Sequence, residues 1–238
     1  MTNSPAIALK NVHLTLGDGA GRVHILKGID LRIEKGSSVG LVGPSGSGKS
    51  TLLMVMAGLE RADEGTVQVA GSELGPLSED KLAQFRGRNV GIIFQSFHLV
   101  PNMTALENVA VPLELSGDPA AFGKAKAELD AVGLGHRMHH YPAQMSGGEQ
   151  QRVAVARALV VEPEILIADE PTGNLDDSTG GQIVDLMFAA QRERKTTLVL
   201  VTHDPALAER CDRVIRVRSG EIEETGTAGA GAQQEVSA

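Results

Sequence analysis

The sequence predicts an α/β fold: a mainly parallel core sheet, an antiparallel β layer beside it, and a helical subdomain inserted in the core. Three observations carry that prediction. Short apolar runs alternate with helical stretches along the chain. Four of the runs, Ser38–Val42, Val90–Phe94, Ile165–Ala168 and Thr197–Val201, are apolar on consecutive residues, as strands covered on both faces must be. From Phe97 to Val161 the spacing is helical, with no strand-like run between.

The elements follow in order. Ile7–Leu16 and Val23–Ile33 are β segments joined by the turn-rich Gly17-Asp18-Gly19-Ala20-Gly21, and Thr66–Ala70 is a short strand ending at Gly71. These three make the antiparallel layer. Thr104–Leu115, Phe122–Val132 and Glu149–Val161 are the helices of the inserted subdomain, approximately residues 97–161. Residues 1–224 are expected to form one domain. The stretch 225–238 is Gly/Ala/Gln-rich and aperiodic, so it is expected to be a disordered tail.

Composition narrows the function. A chain of 238 residues, 42% hydrophobic, buries roughly 70–75% of its unfolded surface and needs no staples. Lys and Arg total 22 against 30 Asp and Glu, a net charge of −8, so there is no electrostatic footprint for DNA or RNA. Aromatics are 3%, with no Trp and one Tyr, which leaves few stacking platforms for single strands. A nucleic-acid partner is not expected. The one cysteine, Cys211, has no partner for a disulfide and reads as a buried, inert thiol in a reducing compartment. Met1–Lys10 lacks the features of a signal peptide. The apolar runs, such as Leu198–Val201, are strand-sized, short of the roughly 20 residues of a spanning helix.

The chemistry begins at Gly43-Pro44-Ser45-Gly46-Ser47-Gly48-Lys49-Ser50-Thr51, which has the spacing GxxxxGK[ST]. It follows the run Ser38–Val42 and precedes Ser50–Ala57, an apolar helix stopped by Gly58. The glycines let successive N–H groups turn inward on phosphate oxygens, and the helix N-terminus adds partial positive charge. Lys49 can reach the β and γ phosphates and Ser50 can ligand Mg²⁺. A nucleoside triphosphate fits this loop; a Gly/Ser linker with an accidental lysine would lack the strand before it and the helix after it.

Ile165–Ala168 runs into Asp169 and Glu170. Parallel sheets place ligands at the carboxyl ends of their strands. Asp169 suits a hold on Mg²⁺ or its water, and Glu170 suits polarising the water that attacks the γ-phosphate. Taken alone, such a pair would equally be an exposed strand end. Gln95 follows Val90–Phe94, and His203 follows Thr197–Thr202. A glutamine there can ligand Mg²⁺, and a histidine can hydrogen-bond the γ-phosphate. Further on, Met145-Ser146-Gly147-Gly148-Glu149-Gln150-Gln151-Arg152 opens a helix. Ser146 and Glu149 have capping-box spacing, so an ordinary helix start accounts for those two. It does not account for Gly147 and Gly148, which bare the first amides as a second anion site, available to a nucleotide held by another copy.

Together these motifs, in this order, resemble the ATPase subunits of ATP-binding cassette (ABC) transporters, a P-loop NTPase family, over essentially Ile7–Glu224. Asn174-Leu175-Asp176 resembles that family's D-loop. Phe94-Gln95-Ser96-Phe97, Leu106-Glu107-Asn108-Val109 and Ala168–Asp176 are similar to the lipoprotein-release and macrolide-export (LolD/MacB) branch, most closely to its YbbA-type ATPases. The resemblance implies ATP and Mg²⁺, with Gly43–Thr51 binding the nucleotide, Ser50, Gln95 and Asp169 holding the metal, and Glu170, His203 and Gln95 serving hydrolysis. It implies a head-to-tail homodimer in which Ser146, Gly147, Gly148 and Glu149 of one chain cover the ATP of the other, with Asn174, Leu175 and Asp176 at the dimer interface. It also implies a separate membrane permease on the cytoplasmic face of the inner membrane, gripped through a groove around Gln95–Leu106. Phe97, Leu99 and Val100 are apolar there, which simple packing of the subdomain would also explain.

Two positions depart from the family pattern: Leu16 stands where an adenine-stacking aromatic is usual, and Met145 stands where the family's signature, here Met145-Ser146-Gly147-Gly148-Glu149-Gln150, usually has leucine. The same residues would serve an ATP-driven regulatory module that transports nothing. Soluble repair or translation ABC proteins usually carry coiled-coil insertions or a second cassette, and this chain has neither. The guanine-reading Asn-Lys-x-Asp of GTPases is absent from the sequence.

Overall fold

A computed structural model describes residues 4–17 and 19–223. The expected tail, 225–238, lies outside them, as does Asp18 of the first turn. The described residues divide into two compact units, one made by the chain up to Gly75 together with the chain from Val199 onward, the other by Pro76–Leu198.

The first unit contains an antiparallel sheet made by β1 (Ile7–Leu16), β2 (Val23–Ile33), β4 (Glu64–Val69) and β5 (Ser72–Glu73), in the order β2-β1-β4-β5. Ile7, Leu9, Val12 and Leu14 of β1 are all buried. Strict alternation would expose the last two, but the register shifts between Leu9 and Val12, where Asn11 sits at φ 47°. That bulge returns the strand's apolar residues to one face. The β4 strand begins two residues before the expected Thr66 and ends one before Ala70. Ala70 and Gly71 both have positive φ, the geometry of a two-residue hairpin turn, and β5 pairs back through Gln68↔Glu73.

The same unit holds β3 (Ser38–Val42), α1 (Lys49–Met56), α7 (Pro205–Ala208), β9 (Arg213–Arg218) and β10 (Glu221–Glu223). β9 runs parallel to β3 and β10 turns back antiparallel to β9. The order is β10-β9-β3-β8, where β8 (Thr197–Val201) crosses from one unit to the other after Leu198. Asp212 anchors the base of β3: its carboxylate accepts from the Ser38 amide at 2.7 Å and the Ser38 hydroxyl at 2.8 Å. Cys211, next to it, is 2% exposed and burial pushes its thiol up to about 12.

The second unit contains α2 (Glu79–Asn89), β6 (Val90–Phe94), α3 (Ala105–Leu115), α4 (Ala121–Ala131), α5 (Gly147–Leu159), β7 (Ile165–Asp169) and α6 (Asp177–Arg194). β6 and β7 are parallel, with Phe94 opposite Asp169. The three expected subdomain helices are α3, α4 and α5. Their shared core includes Val109, Leu113, Leu129, Met145, Val153 and Val160, so the departure to Met145 is a buried, volume-conserving fit. Asn108 is fully buried and pins the preceding loop to α3, donating to the carbonyls of Val100, Met103 and Thr104 and accepting from the Val100 amide. Among the described residues no helix is long and apolar enough to cross a membrane.

Candidate active site

The predicted site residues fall in both units. In the first, β3 delivers the chain into the phosphate loop. Gly43, at φ 155°, lies against the Val217 carbonyl so closely that any Cβ would overlap it. The loop then turns through Gly46 and Gly48, at φ 75° and 101°, and Gly48 is the N-cap of α1. No side chain caps this helix, so its first amides keep the partial positive charge that favours an anion. The Lys49 ammonium lies over the start of the loop, donating to the Gly43 carbonyl at 2.9 Å and the Pro44 carbonyl at 3.0 Å. Ser47 is 4% exposed, and its hydroxyl has no hydrogen-bond partner among the described residues. A buried hydroxyl without an internal acceptor is costly, and in a loop of this shape it fits a phosphate oxygen.

His203 follows β8 and lines a cleft of about 400 Å³ with Val42, Gly43, Glu209 and Arg216. The fold thus brings His203 to the first residue of the phosphate loop. At the far end of β1, Leu16 is half-buried and pairs with the exposed Val23, an aliphatic surface in place of an aromatic one.

In the second unit, Gln95 and Glu170 each stand one residue past the aligned pair Phe94 and Asp169. Glu170 has φ 48°, a left-handed backbone that non-glycine residues adopt at a cost and that clusters at functional sites. The Gly173 amide closes the turn onto the Glu170 carbonyl at 3.0 Å. Asn174 then reaches Gln95 twice: its Nδ2 donates to the Gln95 carbonyl at 3.0 Å, and its Oδ1 accepts from Gln95 Nε2 at 3.4 Å. Asp176 is the N-cap of α6. Hydrogen bonds from Thr179, and then from Ser178, hold its carboxyl well below the usual aspartate range.

The start of α5 is the reciprocal capping box that the spacing predicts. Ser146 Oγ accepts from the Glu149 amide at 3.3 Å, and Glu149 Oε2 accepts from the Ser146 amide at 2.8 Å. That amide is the main reason the Glu149 carboxyl lies below its ordinary pKa; the Ser146 hydroxyl and Arg137, 3.0 Å away, act the same way. The paired glycines acquire a packing role that spacing did not reveal. A Cβ on Gly148 would collide with the Thr179 methyl, and one on Gly147 would lie 3.4 Å from Leu175 and 3.7 Å from the Phe97 ring. The Gln95 turn, the signature and the D-loop segment therefore touch one another inside one unit. The apolar trio divides: Leu99 packs on the helical core, Phe97 is half-buried, and Val100 is exposed.

Two further side chains of α5, one buried and one partly buried, complete this region. Gln151 is fully buried and donates to the Pro171 carbonyl at 2.6 Å and the Phe94 carbonyl at 3.5 Å. Arg157 donates to the Phe97 and His98 carbonyls at 2.9 and 2.7 Å, and burial lowers its pKa from the ordinary arginine value. Among the described residues no three His, Cys, Asp or Glu side chains gather into a metal-ligating cluster. Ser50, Gln95 and Asp169 offer a hydroxyl, an amide and a carboxylate, the hard oxygen donors that Mg²⁺ takes beside substrate phosphates.

Comparison with known proteins identifies the family. Residues 26–173 match the ABC transporter family. The chain is 48% identical over 225 residues to the ABC transporter ATP-binding protein YbbA of Escherichia coli (strain K12), covering 92% of this chain and 99% of that one. It is 47% identical over 212 residues to the lipoprotein-releasing system ATP-binding protein LolD of Xanthomonas campestris pv. campestris (strain 8004), covering 88% and 89%. A dimeric post-hydrolysis structure of the ATP-binding cassette MJ0796 bound to ADP and Pi superposes with a TM-score of 0.86 at 38% identity, over 93% of this chain and 98% of that one. A second dimeric structure of that cassette gives 0.86 at 39%. The chain belongs to the ABC transporter family.

Proposed function

We propose that this ABC-family ATPase works as a homodimer, hydrolysing ATP between its two chains to drive a separate membrane permease, an exporter or extractor of the LolD/MacB type. One observation carries the reading most directly: the uncapped N-terminus of α1, with Lys49 over the start of the loop and a buried Ser47 hydroxyl that has no partner among the described residues. In this reading Gly43–Thr51 hold the phosphates through backbone amides and Lys49, and Ser146 with Gly147 and Gly148 of a second copy close over them. Glu170 accepts a proton from the attacking water, and His203 orients the γ-phosphate. Mg²⁺, when bound, neutralises charge on the phosphates, with Ser50, Gln95 and Asp169 as its protein ligands. Asn174, Leu175 and Asp176 line the junction between copies. The dimeric structures of MJ0796 support pairing, and the likeness to LolD supports a permease of that branch at the cytoplasmic face of the inner membrane.

Glu170→Gln tests the reading. It should leave ATP binding intact and lower phosphate release by about 10²–10⁴-fold. Near-normal turnover in the purified variant would sink the assignment. A regulatory module would share every residue named, and a flux assay with the reconstituted permease separates the two.

A further inference from the structure

The turn that carries Gln95 is held in an unfavourable backbone. Phe97 and His98, successive non-glycine residues, have φ 55° and 48°. Side chains pay for that region because Cβ crowds the backbone carbonyl, so something must hold the pair there. The Phe97 amide reaches back to the Phe94 carbonyl at 3.4 Å, at the long end of hydrogen bonding, and the His98 ring meets Phe94 edge-on with centroids 4.8 Å apart. The His98 amide closes on the Ser96 carbonyl at 2.5 Å, and α5 grips the pair from outside the turn. Arg157 spans both strained residues, one guanidinium nitrogen to each carbonyl, at 2.9 and 2.7 Å. A planar fork can grip two carbonyls in a way that an ammonium cannot. α5 meets the same segment at two further places: Gly147 faces the Phe97 ring, and Gln151 donates to the Phe94 carbonyl.

We propose that Arg157 is a positioning residue for ATP hydrolysis: gripping the Phe97 and His98 carbonyls, it fixes the turn after Gln95 and ties that glutamine to the helix that begins with the signature. Movement of α5 is thereby passed to Gln95 through a rigid link. The inference rests on the reading that Gln95 serves the reaction. It assigns Arg157 no contact with nucleotide.

The test compares phosphate release from Mg-ATP, as kcat and KM, and thermal unfolding for the full chain and five variants. Gln95→Ala and Arg157→Ala should each lower kcat by between about tenfold and a hundredfold with KM nearly unchanged. Arg157→Lys should fall between wild type and Arg157→Ala, and it carries the test if the alanine variant does not fold. His98→Gly alone is the reference for the double variant. In the double variant Arg157→Ala/His98→Gly, glycine takes the left-handed backbone without a Cβ penalty at one of the two strained positions, so part of the lost kcat should return. A folded Arg157→Ala with wild-type kcat overturns the inference, as does a double variant no faster than Arg157→Ala. If Gln95→Ala is slow while Arg157→Ala is not, only this inference fails. If Gln95→Ala itself turns over normally, the reading of the site fails and takes the inference with it.

Discussion

Two helices of this chain have glycines at their starts, and they begin in opposite ways. α1 starts after Gly48 with no side chain on its first amides, whereas α5 starts after Ser146 with a closed capping box. The first is ready for an anion. The second already satisfies the Glu149 amide internally and carries the ionised Glu149 carboxylate in its first turn, which offsets the helix's positive end. Glycine spacing alone therefore does not make a phosphate site. What matters is whether the first-turn donors already have an acceptor. By this measure α5 is poorly suited to capturing a nucleotide by itself.

The largest effect that would break this contrast is on binding by the single chain. Lys49→Ala removes a charge-assisted donor worth about 1.5–3 kcal/mol, so ATP affinity should fall about ten- to a hundredfold. Ser146→Ala should leave that affinity unchanged and instead cost about 0.5–2 kcal/mol of stability through the lost cap. Titration calorimetry at concentrations that keep the chain monomeric, paired with urea denaturation, reads both. Equal losses of affinity in the two variants would mean that the two helix starts are alike after all.

A smaller effect sharpens what the signature glycines are for. Gly148→Ala forces a methyl into the Thr179 side chain, an overpacking that should cost about 1–3 kcal/mol. Thr179→Ser removes the offending methyl and keeps the hydroxyl that bonds Asp176. If Gly148→Ala/Thr179→Ser regains stability and turnover together, close packing of α5 on α6 is the reason for the glycine. If stability returns without turnover, the bare amide is needed for phosphate. Denaturation midpoints and phosphate release on the same samples decide.

Much of this was legible in the sequence, and the reasons differ by element. β3, β6, β7 and β8 were legible because burial on both faces leaves consecutive apolar residues, and Ser146 and Glu149 because capping is local. β9 left only a weak trace, Ile215 and Val217 buried between exposed arginines, a period of two over six residues. α2 buries only Leu82 and Phe85, too few to draw an apolar stripe. The links that join the motifs left no trace. Arg157 acts on main-chain carbonyls about sixty positions earlier, and a carbonyl has no residue type to recognise. Asn174 could be matched to a D-loop, but its bonds to Gln95 depend on the parallel pairing of β6 with β7, which spacing does not encode.

The gentlest test concerns the D-loop carboxylate. Asp176 accepts from the Ser178 hydroxyl at 2.7 Å and the Thr179 amide at 3.0 Å, and its folded-state pKa lies below the ordinary 3.8. A depressed carboxylate pKa means that folding favours the ionised form, so its contribution is complete above the ordinary value and is lost as pH falls through the folded one. Asp176→Asn retains a capping oxygen but cannot ionise. The stability difference between wild type and Asp176→Asn should hence be constant from about pH 5 to 7 and shrink steadily below the ordinary aspartate value, as followed by urea denaturation at each pH. Ser146→Ala, which removes a neutral hydroxyl at the other helix start, should show a flatter profile over the same range, apart from what Glu149 contributes through its own lowered pKa. A difference that grew on acidification would mean that the Asp176 carboxylate is destabilised by its surroundings, and that α6 is capped by something other than the charge.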